Sequence, residues 1–118
     1  IKSLVPDSPE ARELHGWLNE KVELVTSAIS WYEFLCGPVD ERGRELMELI
    51  LQDRIIPFTG TQAREAARLF NETGRKRNLR VDAMIAAAAI TQNAALATDN
   101  TRDFSAFIEL GLSLVHLE

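Results

Sequence analysis

The spacing of hydrophobic residues along the chain predicts helices that alternate with short strands. Leu46, Leu49 and Ile50 recur at helical spacing, whereas Ala95-Leu96-Ala97-Thr98 forms a short, continuous run that is typical of a strand. The predicted helices span residues 8–19, 30–36, 40–52, 62–74, 82–92 and 101–109. The predicted strands span residues 22–27, 54–58, 95–98 and 112–117. This alternation predicts an α/β domain in which helices flank a parallel sheet.

Cap residues and one long apolar run refine this prediction. Ser8 and Pro9 are typical of a helix start, and Thr61 and Gly74 are typical of the start and the end of a long amphipathic helix. The helix over 82–92 is nearly all apolar from Ala83 onwards, so we expect it to be buried on most sides.

The beginning of the chain is unusual for such a domain. An α/β domain normally opens on a buried apolar strand, whereas residues 1–5 run directly into the helix start at Pro6-Asp7-Ser8-Pro9. Either the first helix precedes the sheet, or an initial strand is missing from this chain.

Length and composition bound the class of protein. A chain of 118 residues with 46% hydrophobic residues suits one domain with its own core, so we expect residues 1–118 to form a single domain. Cys36 is the only cysteine, which excludes an internal disulfide and a cysteine-based zinc site and suits a cytoplasmic protein. No apolar run approaches the roughly 18 residues of a membrane span, so we expect no membrane partner.

The net charge of −5 argues against nucleic-acid binding only weakly, because the charge is unevenly distributed. Residues 1–53 carry 5 basic and 11 acidic side chains, whereas residues 54–118 carry 8 and 7. Within residues 64–80, six arginine and lysine residues stand against two glutamates. A local basic surface is therefore compatible with the acidic total.

Acidic residues occupy three positions that suit a ligand site at the strand ends. Glu33 comes one helical turn after the first strand, Asp82 opens the apolar helix, and Asp99 and Asp103 follow the strand over 95–98. Ligands of parallel α/β sheets bind beyond the carboxyl ends of the strands. Carboxylates that converge there repel one another unless a cation lies among them, and Mg²⁺ or Mn²⁺ prefers such oxygen ligands.

Each of these acids also has a purely structural interpretation. Glu33 completes a capping box that begins at Ser30, and Asp103 stands in the same relation to Asn100. Asp82 at a helix start interacts favourably with the helix dipole whatever its function. Capping and metal binding are compatible, because a carboxylate has two oxygens.

Three segments of the chain resemble PIN-domain ribonucleases, and among these the VapC-type toxins of prokaryotic toxin–antitoxin pairs. They are residues 25–34 (VTSAISWYEF), 80–87 (RVDAMIAA) and 96–104 (LATDNTRDF), in order and at plausible spacing over nearly the whole chain. The third segment is the most specific.

The resemblance implies a cytoplasmic, metal-dependent endoribonuclease that uses Mg²⁺ or Mn²⁺, is inhibited by a cognate antitoxin and forms a homodimer. It implies that Glu33, Asp82 and Asp103 are the catalytic metal ligands and that Thr98 and Asn100 position their loop. Asp99 adds a nearby carboxylate, and we include it among the candidate ligands although the family pattern does not single it out. The apolar helices near 8–19 and 30–52 are where dimer and antitoxin contacts are expected.

The chain departs from the family pattern at one position. The family's first acid follows the first strand, and nothing here matches it, since Asp7 lies in a proline-rich helix cap. We therefore expect the natural chain to begin about ten residues earlier, the length of a strand and a turn. A chain that truly starts at Ile1 would bind metal weakly and act as a PIN scaffold that binds other proteins, which is the alternative function.

Basic residues next to the acids are candidates for RNA binding. Arg75, Lys76, Arg77 and Arg80 precede Asp82, where they either bind phosphates or form a solvated loop. Arg102 either contacts phosphate or offsets the repulsion between carboxylates.

Overall fold

The computed structural model describes residues 3–6, 23–98 and 100–116. The predicted helix over residues 8–19 lies outside these described residues. The described part contains six strands, which are β1 (Ser3–Pro6), β2 (Glu23–Leu24), β3 (Thr26–Ser27), β4 (Ile55–Ile56), β5 (Ala95–Thr98) and β6 (Leu114–His116).

The strands form two small sheets. The larger sheet has the order β2-β1-β5-β6, and β3 pairs with β4 in a separate two-stranded sheet. Every one of these pairings is parallel, which confirms the predicted α/β domain with a parallel sheet. The predicted strand over 22–27 is divided at Val25, so that its first part joins the larger sheet and its second part the smaller one.

The structure corrects the expectation that an initial strand is missing. β1 lies inside the larger sheet, where Leu4 is aligned with Leu24 on one side and with Ala95 on the other. The sequence pattern concealed this strand because it has only four residues, and two of them, Ser3 and Pro6, are uncommon in strands. The Ser8-Pro9 helix-start signal shortly after it favoured a helix over a strand.

Helices connect and cover these strands. The described helices are α1 (Ala28–Cys36), α2 (Glu41–Leu51), α3 (Gly60–Glu72), α4 (Arg80–Thr91) and α5 (Thr101–Phe104), with 3₁₀ turns at Arg77–Leu79 and Ser105–Leu110. The predicted helix over 101–109 is therefore a single α-helical turn that continues as a 3₁₀ helix. Part of the predicted basic loop is also helical.

Side-chain caps place the starts of α1 and α3 about two residues earlier than predicted. Ser27 rather than Ser30 caps α1, and Thr59 rather than Thr61 caps α3, in each case by accepting a backbone N–H in the first turn. α3 ends at Glu72, two residues before the predicted end, and Gly74 follows it with a φ of +95°, a conformation that glycine adopts without strain.

The apolar helix α4 forms the centre of the core, as predicted. Ala86, Ala87, Ala88 and Ala89 are completely buried, and α4 packs against α3 and the larger sheet. Leu69 of α3 and the rings of Phe104 and Phe107 lie in the same cluster. Close packing around α4 fixes the position of its N-terminal turn, which carries Asp82.

A smaller cluster lies under α2. Met47 and Leu51 are buried there, and Trp31 and Phe34 of α1 pack against them. The two aromatic rings stack on each other with their centroids 5.3 Å apart. Both rings therefore contribute to internal packing rather than offering a free platform for bases.

Candidate active site

A half-open cavity of about 330 Å³ lies where α1, α4 and the start of α5 meet. Oxygen-bearing and apolar side chains share its wall. The lining residues are Ser30, Glu33, Phe34, Asp82, Ile85, Asn100 and Phe104. Residues that are far apart in the sequence thus contribute to one concave surface, which is the usual form of a ligand site.

Helix α1 contributes three lining residues from one of its faces. Ser30, Glu33 and Phe34 are three and four positions apart, a spacing that aligns side chains along a helix. The predicted capping box of Ser30 and Glu33 is wrong, because Ser27 caps α1 and Glu33 therefore lies in the second turn. The exposed carboxylate of Glu33 has no role as a partner of the first-turn amides, so it is available to a ligand.

Helix α4 contributes the facing acid. Asp82 lies in the first turn of α4, half-buried, and Ile85 one turn later lines the same cavity. The partial positive charge at the N-terminus of this twelve-residue helix favours a carboxylate at this position. The dipole interaction and the orientation into the cavity occur together, so the structural and the functional interpretations of Asp82 are compatible.

The loop after β5 contributes Asn100. Its backbone N–H donates to the Thr98 hydroxyl oxygen at 2.9 Å, and Thr98 is completely buried. The Asn100 side chain caps α5 by accepting the Asp103 N–H at 3.4 Å, and its amide donates to the Asp103 carboxylate at 2.8 Å. Asp103 is therefore bonded to a lining residue, Asn100, but is not itself on the cavity wall. Asp99 lies outside the described residues.

The donor set fits a hard divalent cation in its chemistry. Glu33 and Asp82 supply carboxylate oxygens, and Ser30 and Asn100 supply neutral oxygens on the same wall. Among the described residues, no three histidine, cysteine, aspartate or glutamate side chains are close enough to form a metal site by themselves. The two cavity carboxylates are thus the part of the predicted cluster that the described residues bring together.

None of the basic candidate residues lines the cavity. The side chains of Arg75, Lys76, Arg77, Arg80 and Arg102 are all exposed. The Arg80 guanidinium lies over the Phe70 ring of α3, 5.5 Å from its centroid. Because residues two apart lie about 200° apart around a helix, Arg80 and Asp82 point to nearly opposite sides of α4.

The sequence interpretation missed the cavity role of Ser30 and of the apolar residues Phe34, Ile85 and Phe104. Ser30 stands three residues before Glu33, a spacing that places both on one face of a helix, but the same spacing is also typical of a helix cap. The apolar residues carry no chemical signal, and only the meeting of two helices identifies them.

Comparison with known proteins identifies the family of this fold. The family model of the PIN domain matches residues 2–109, so the chain belongs to the PIN domain family. PIN domains are typically nucleases and generally use divalent metal ions. No curated protein sequence matches the chain. In the described residues, no helix has the length and apolar character needed to cross a membrane.

Solved structures share this fold at low sequence identity. The chain is similar to one in VapBC2 from Rickettsia felis bound to a DNA fragment from their promoter, with a TM-score of 0.70, 20% identity and complete coverage of both chains. It is also similar to FitAcB from Neisseria gonorrhoeae (TM-score 0.68, 20% identity, 97% of this chain and 96% of that chain). A toxin–antitoxin complex from Klebsiella pneumoniae is 25% identical, with a TM-score of 0.66 over 88% of this chain and 91% of that chain.

Proposed function

We propose that this protein is a divalent-metal-dependent endoribonuclease, the VapC-type toxin of a cytoplasmic toxin–antitoxin pair. The observation that supports this most directly is the convergence of Glu33 and Asp82 on one cavity of a PIN fold, next to the Asn100–Asp103 pair. Structures of toxin–antitoxin complexes with the same fold support the biological assignment.

In this proposal the acidic residues hold Mg²⁺ or Mn²⁺. Glu33, Asp82 and Asp103 are the ligands, and Asp99 is a further candidate. The chemistry that such a cation supplies when bound is polarisation of the phosphodiester and activation of a water molecule. Asn100, which lines the cavity, holds Asp103 beside it through their hydrogen bond.

The apolar part of the wall has a separate role. Phe34, Ile85 and Phe104 exclude water from one side of the cavity, which strengthens electrostatic interactions with the carboxylates. The RNA strand approaches from the exposed side, and Arg80 and its basic neighbours interact with its phosphates.

Asp82→Asn tests the proposed activity. The substitution keeps the shape of the side chain and removes its charge, so we expect RNA cleavage to fall by about 10²-fold or more while the fold is retained. Asp53→Asn is the matched control, because Asp53 is an exposed acid in a turn and does not line the candidate site. Cleavage should also stop on chelation and return with Mn²⁺. Undiminished cleavage by the Asp82 variant would reject the assignment.

We propose that the antitoxin binds the exposed apolar surface of α1 and α2 and that a homodimer forms through apolar helices of this region. Tyr32 and Leu35 on α1 and Leu46 and Leu49 on α2 are exposed, and Leu49 is 70% exposed. Interaction with the Cys36 thiol raises the pKa of the Tyr32 phenol. Exposed apolar side chains of this kind are typical of a protein interface.

The second candidate function is a PIN scaffold that binds proteins and has weak catalytic activity. It is favoured by the same exposed apolar surface and by the finding that the described residues contain no complete metal-binding cluster. Calorimetric titration with Mn²⁺ discriminates between the two functions. A scaffold shows no binding that depends on Glu33 or Asp82, whereas a nuclease loses binding when either is replaced.

A further inference from the structure

The basic side chains of residues 64–80 are of two kinds, one neutralised by acids and the other not. Arg68 forms ion pairs with both acids of this stretch, Glu65 and Glu72. The other five basic residues form no ion pair with any residue that the structure describes. They are Arg64, Arg75, Lys76, Arg77 and Arg80. The end of α3 and the loop after it therefore carry positive charge that no acid compensates.

Arg80 is held in place by an aromatic ring instead of a carboxylate. Its guanidinium lies 5.5 Å from the centroid of the Phe70 ring, and its side chain remains exposed. Phe70 is partly buried and packs against the main core, which fixes the position of the ring. Because an aromatic ring attracts a cation without neutralising it, the charge of Arg80 remains available to an anion.

Arg75 is anchored at the same end of α3 by another neutral partner. Its Nε donates to the Asn71 side-chain oxygen at 3.0 Å, and its backbone N–H donates to the Phe70 carbonyl oxygen at 3.0 Å. The Arg75 side chain is exposed as well. Two adjacent residues in the last turn of α3, Phe70 and Asn71, thus hold two uncompensated guanidinium groups.

Cations that are fixed before a ligand arrives bind it at a lower cost. A long side chain loses conformational freedom when it binds, and part of this loss has already occurred for Arg75 and Arg80. A guanidinium group presents paired N–H donors that match the oxygens of a phosphate. Two such groups on neighbouring anchors suit the phosphates of a nucleic-acid backbone, because phosphate contacts of this kind bind the strand without reading its sequence.

We propose that Arg75 and Arg80 form a second RNA-binding site, separate from the cavity, in which Phe70 and Asn71 are positioning residues. This inference rests on the proposed ribonuclease function and adds to it the groups that orient the cations. Arg80 contacts α3, whereas Asp82 lines the cavity that α4 shares with α1 and α5. The phosphate at Arg80 is therefore not the one that is cleaved, and the substrate is a single strand that continues past the cavity to the end of α3.

A double-mutant cycle between Phe70 and Arg80 tests this proposal. Binding of a fluorescein-labelled single-stranded RNA is measured by anisotropy in EDTA, which prevents metal-dependent cleavage. Phe70→Leu keeps an apolar side chain and removes the ring, so it should weaken binding by about two- to fivefold, the size of a cation–π interaction at an exposed site. It should have no further effect when Arg80 is replaced by alanine, because the ring acts through the guanidinium. Phe70→Tyr keeps the ring and should bind RNA like the wild type.

The salt dependence of binding reports the phosphate contact itself. Arg80→Ala should reduce the slope of log affinity against log salt by about 0.7, the value for one phosphate of a single strand. Arg44→Ala is the matched control, because Glu41 and Glu48 already neutralise the arginine that it removes. It should change neither the affinity nor the slope.

Two results would overturn the second site. They are wild-type RNA binding by Arg80→Ala, and an equal loss from Phe70→Leu with and without Arg80, which would show that the ring acts only through packing. If Phe70→Leu does not fold, as judged by circular dichroism, the same cycle between Asn71→Ala and Arg75→Ala decides, since both side chains are exposed. A loss from Asn71→Ala that persists without Arg75 then contradicts the proposal.

Asp82→Asn separates this proposal from the proposed function. Undiminished RNA cleavage by this variant in Mn²⁺ rejects the ribonuclease site. The coupling between Phe70 and Arg80 is measured without metal, so its presence or absence decides the second site independently of that result.

Discussion

Two substitutions of Asp103 separate its structural role from its proposed role as a metal ligand. The Asp103 carboxylate accepts a hydrogen bond of 2.8 Å from the Asn100 amide and lies in the first turn of α5, but it does not line the cavity. Asp103→Asn keeps an oxygen that accepts this hydrogen bond and removes only the charge. Asp103→Ala removes the hydrogen bond as well.

The hydrogen bond sets the expected loss of stability. It contributes about 1 kcal/mol, because Asn100 is exposed and a solvated pair gains only modestly over its bonds to water. The interaction of the charge with a helix of four residues contributes about 0.3 kcal/mol at most. Without divalent ions, Asp103→Ala should therefore lower the free energy of unfolding by about 1 kcal/mol, and Asp103→Asn by roughly a third of that.

Metal binding should depend mainly on the charge of Asp103, whereas stability depends mainly on its hydrogen bond. If Asp103 is a ligand, Asp103→Asn weakens Mn²⁺ binding by at least about tenfold, because even residues that only support a ligand contribute this much. Urea unfolding followed by circular dichroism gives the stabilities, and calorimetry on metal-free protein gives the affinities. An Asp103→Asn protein that binds Mn²⁺ as tightly as the wild type would show that Asp103 only stabilises the start of α5.

Three further predictions follow from packing, charge and exposure. Phe104→Ala should lower the free energy of unfolding by about 3–5 kcal/mol, because the ring is buried against Phe107 and α4. Phe58→Ala, at a partly exposed position, should lower it by less than about 1 kcal/mol. Equal losses of the two variants in urea unfolding would contradict this. Arg80→Ala should weaken binding of single-stranded RNA and make it less salt-dependent, whereas Arg42→Ala on α2 should do neither. Fluorescence anisotropy over a range of salt concentrations measures both effects. Equal effects of the two variants would argue against a basic surface beside α4. Leu49→Lys should weaken binding of the cognate antitoxin without changing the circular dichroism spectrum, and unchanged binding would move the interface away from α2.

The long periodic elements of this fold were predictable from the sequence, whereas short elements and helix starts were not. α3 and α4 carry enough apolar positions to define their faces, and β5 was predicted with the bounds that the structure shows. β1 has four residues, and its place in the sheet depends on pairing with β5, about ninety residues further along the chain. No local pattern contains that information.

The cap of α1 shows how tertiary structure decides between two local signals. Ser27 and Ser30 are both suitable N-cap residues, and the sequence interpretation assigned the cap to Ser30. In the structure Ser27 ends β3, which pairs with β4, and this pairing fixes the backbone so that the helix begins at Ala28. Ser30 is then part of the helix and lines the cavity.

The position of the acids could be predicted only from the rule that ligands bind beyond the carboxyl ends of parallel strands. That rule places Glu33 and Asp82 at the same end of the domain, and the structure shows both on one cavity. It does not specify which way Asp103 faces, because that depends on the Asn100 side chain, which both caps α5 and donates to Asp103. The orientation of a short polar side chain with two possible partners depends on the three-dimensional structure, so the sequence pattern does not predict it.

The acidic net charge and the proposed RNA substrate are compatible because the charges act locally. Arg80 and Asp82 lie on nearly opposite sides of α4, and a helix with its side chains is about 10 Å across, which exceeds the screening length of about 8 Å at physiological ionic strength. A phosphate on the basic side is therefore attracted with little influence from the total of −5. The cavity itself repels phosphate as long as Glu33 and Asp82 are uncompensated. Under the proposed function, cation binding and RNA binding are consequently coupled, and RNA affinity should respond more strongly to the divalent cation than to changes of charge elsewhere on the surface.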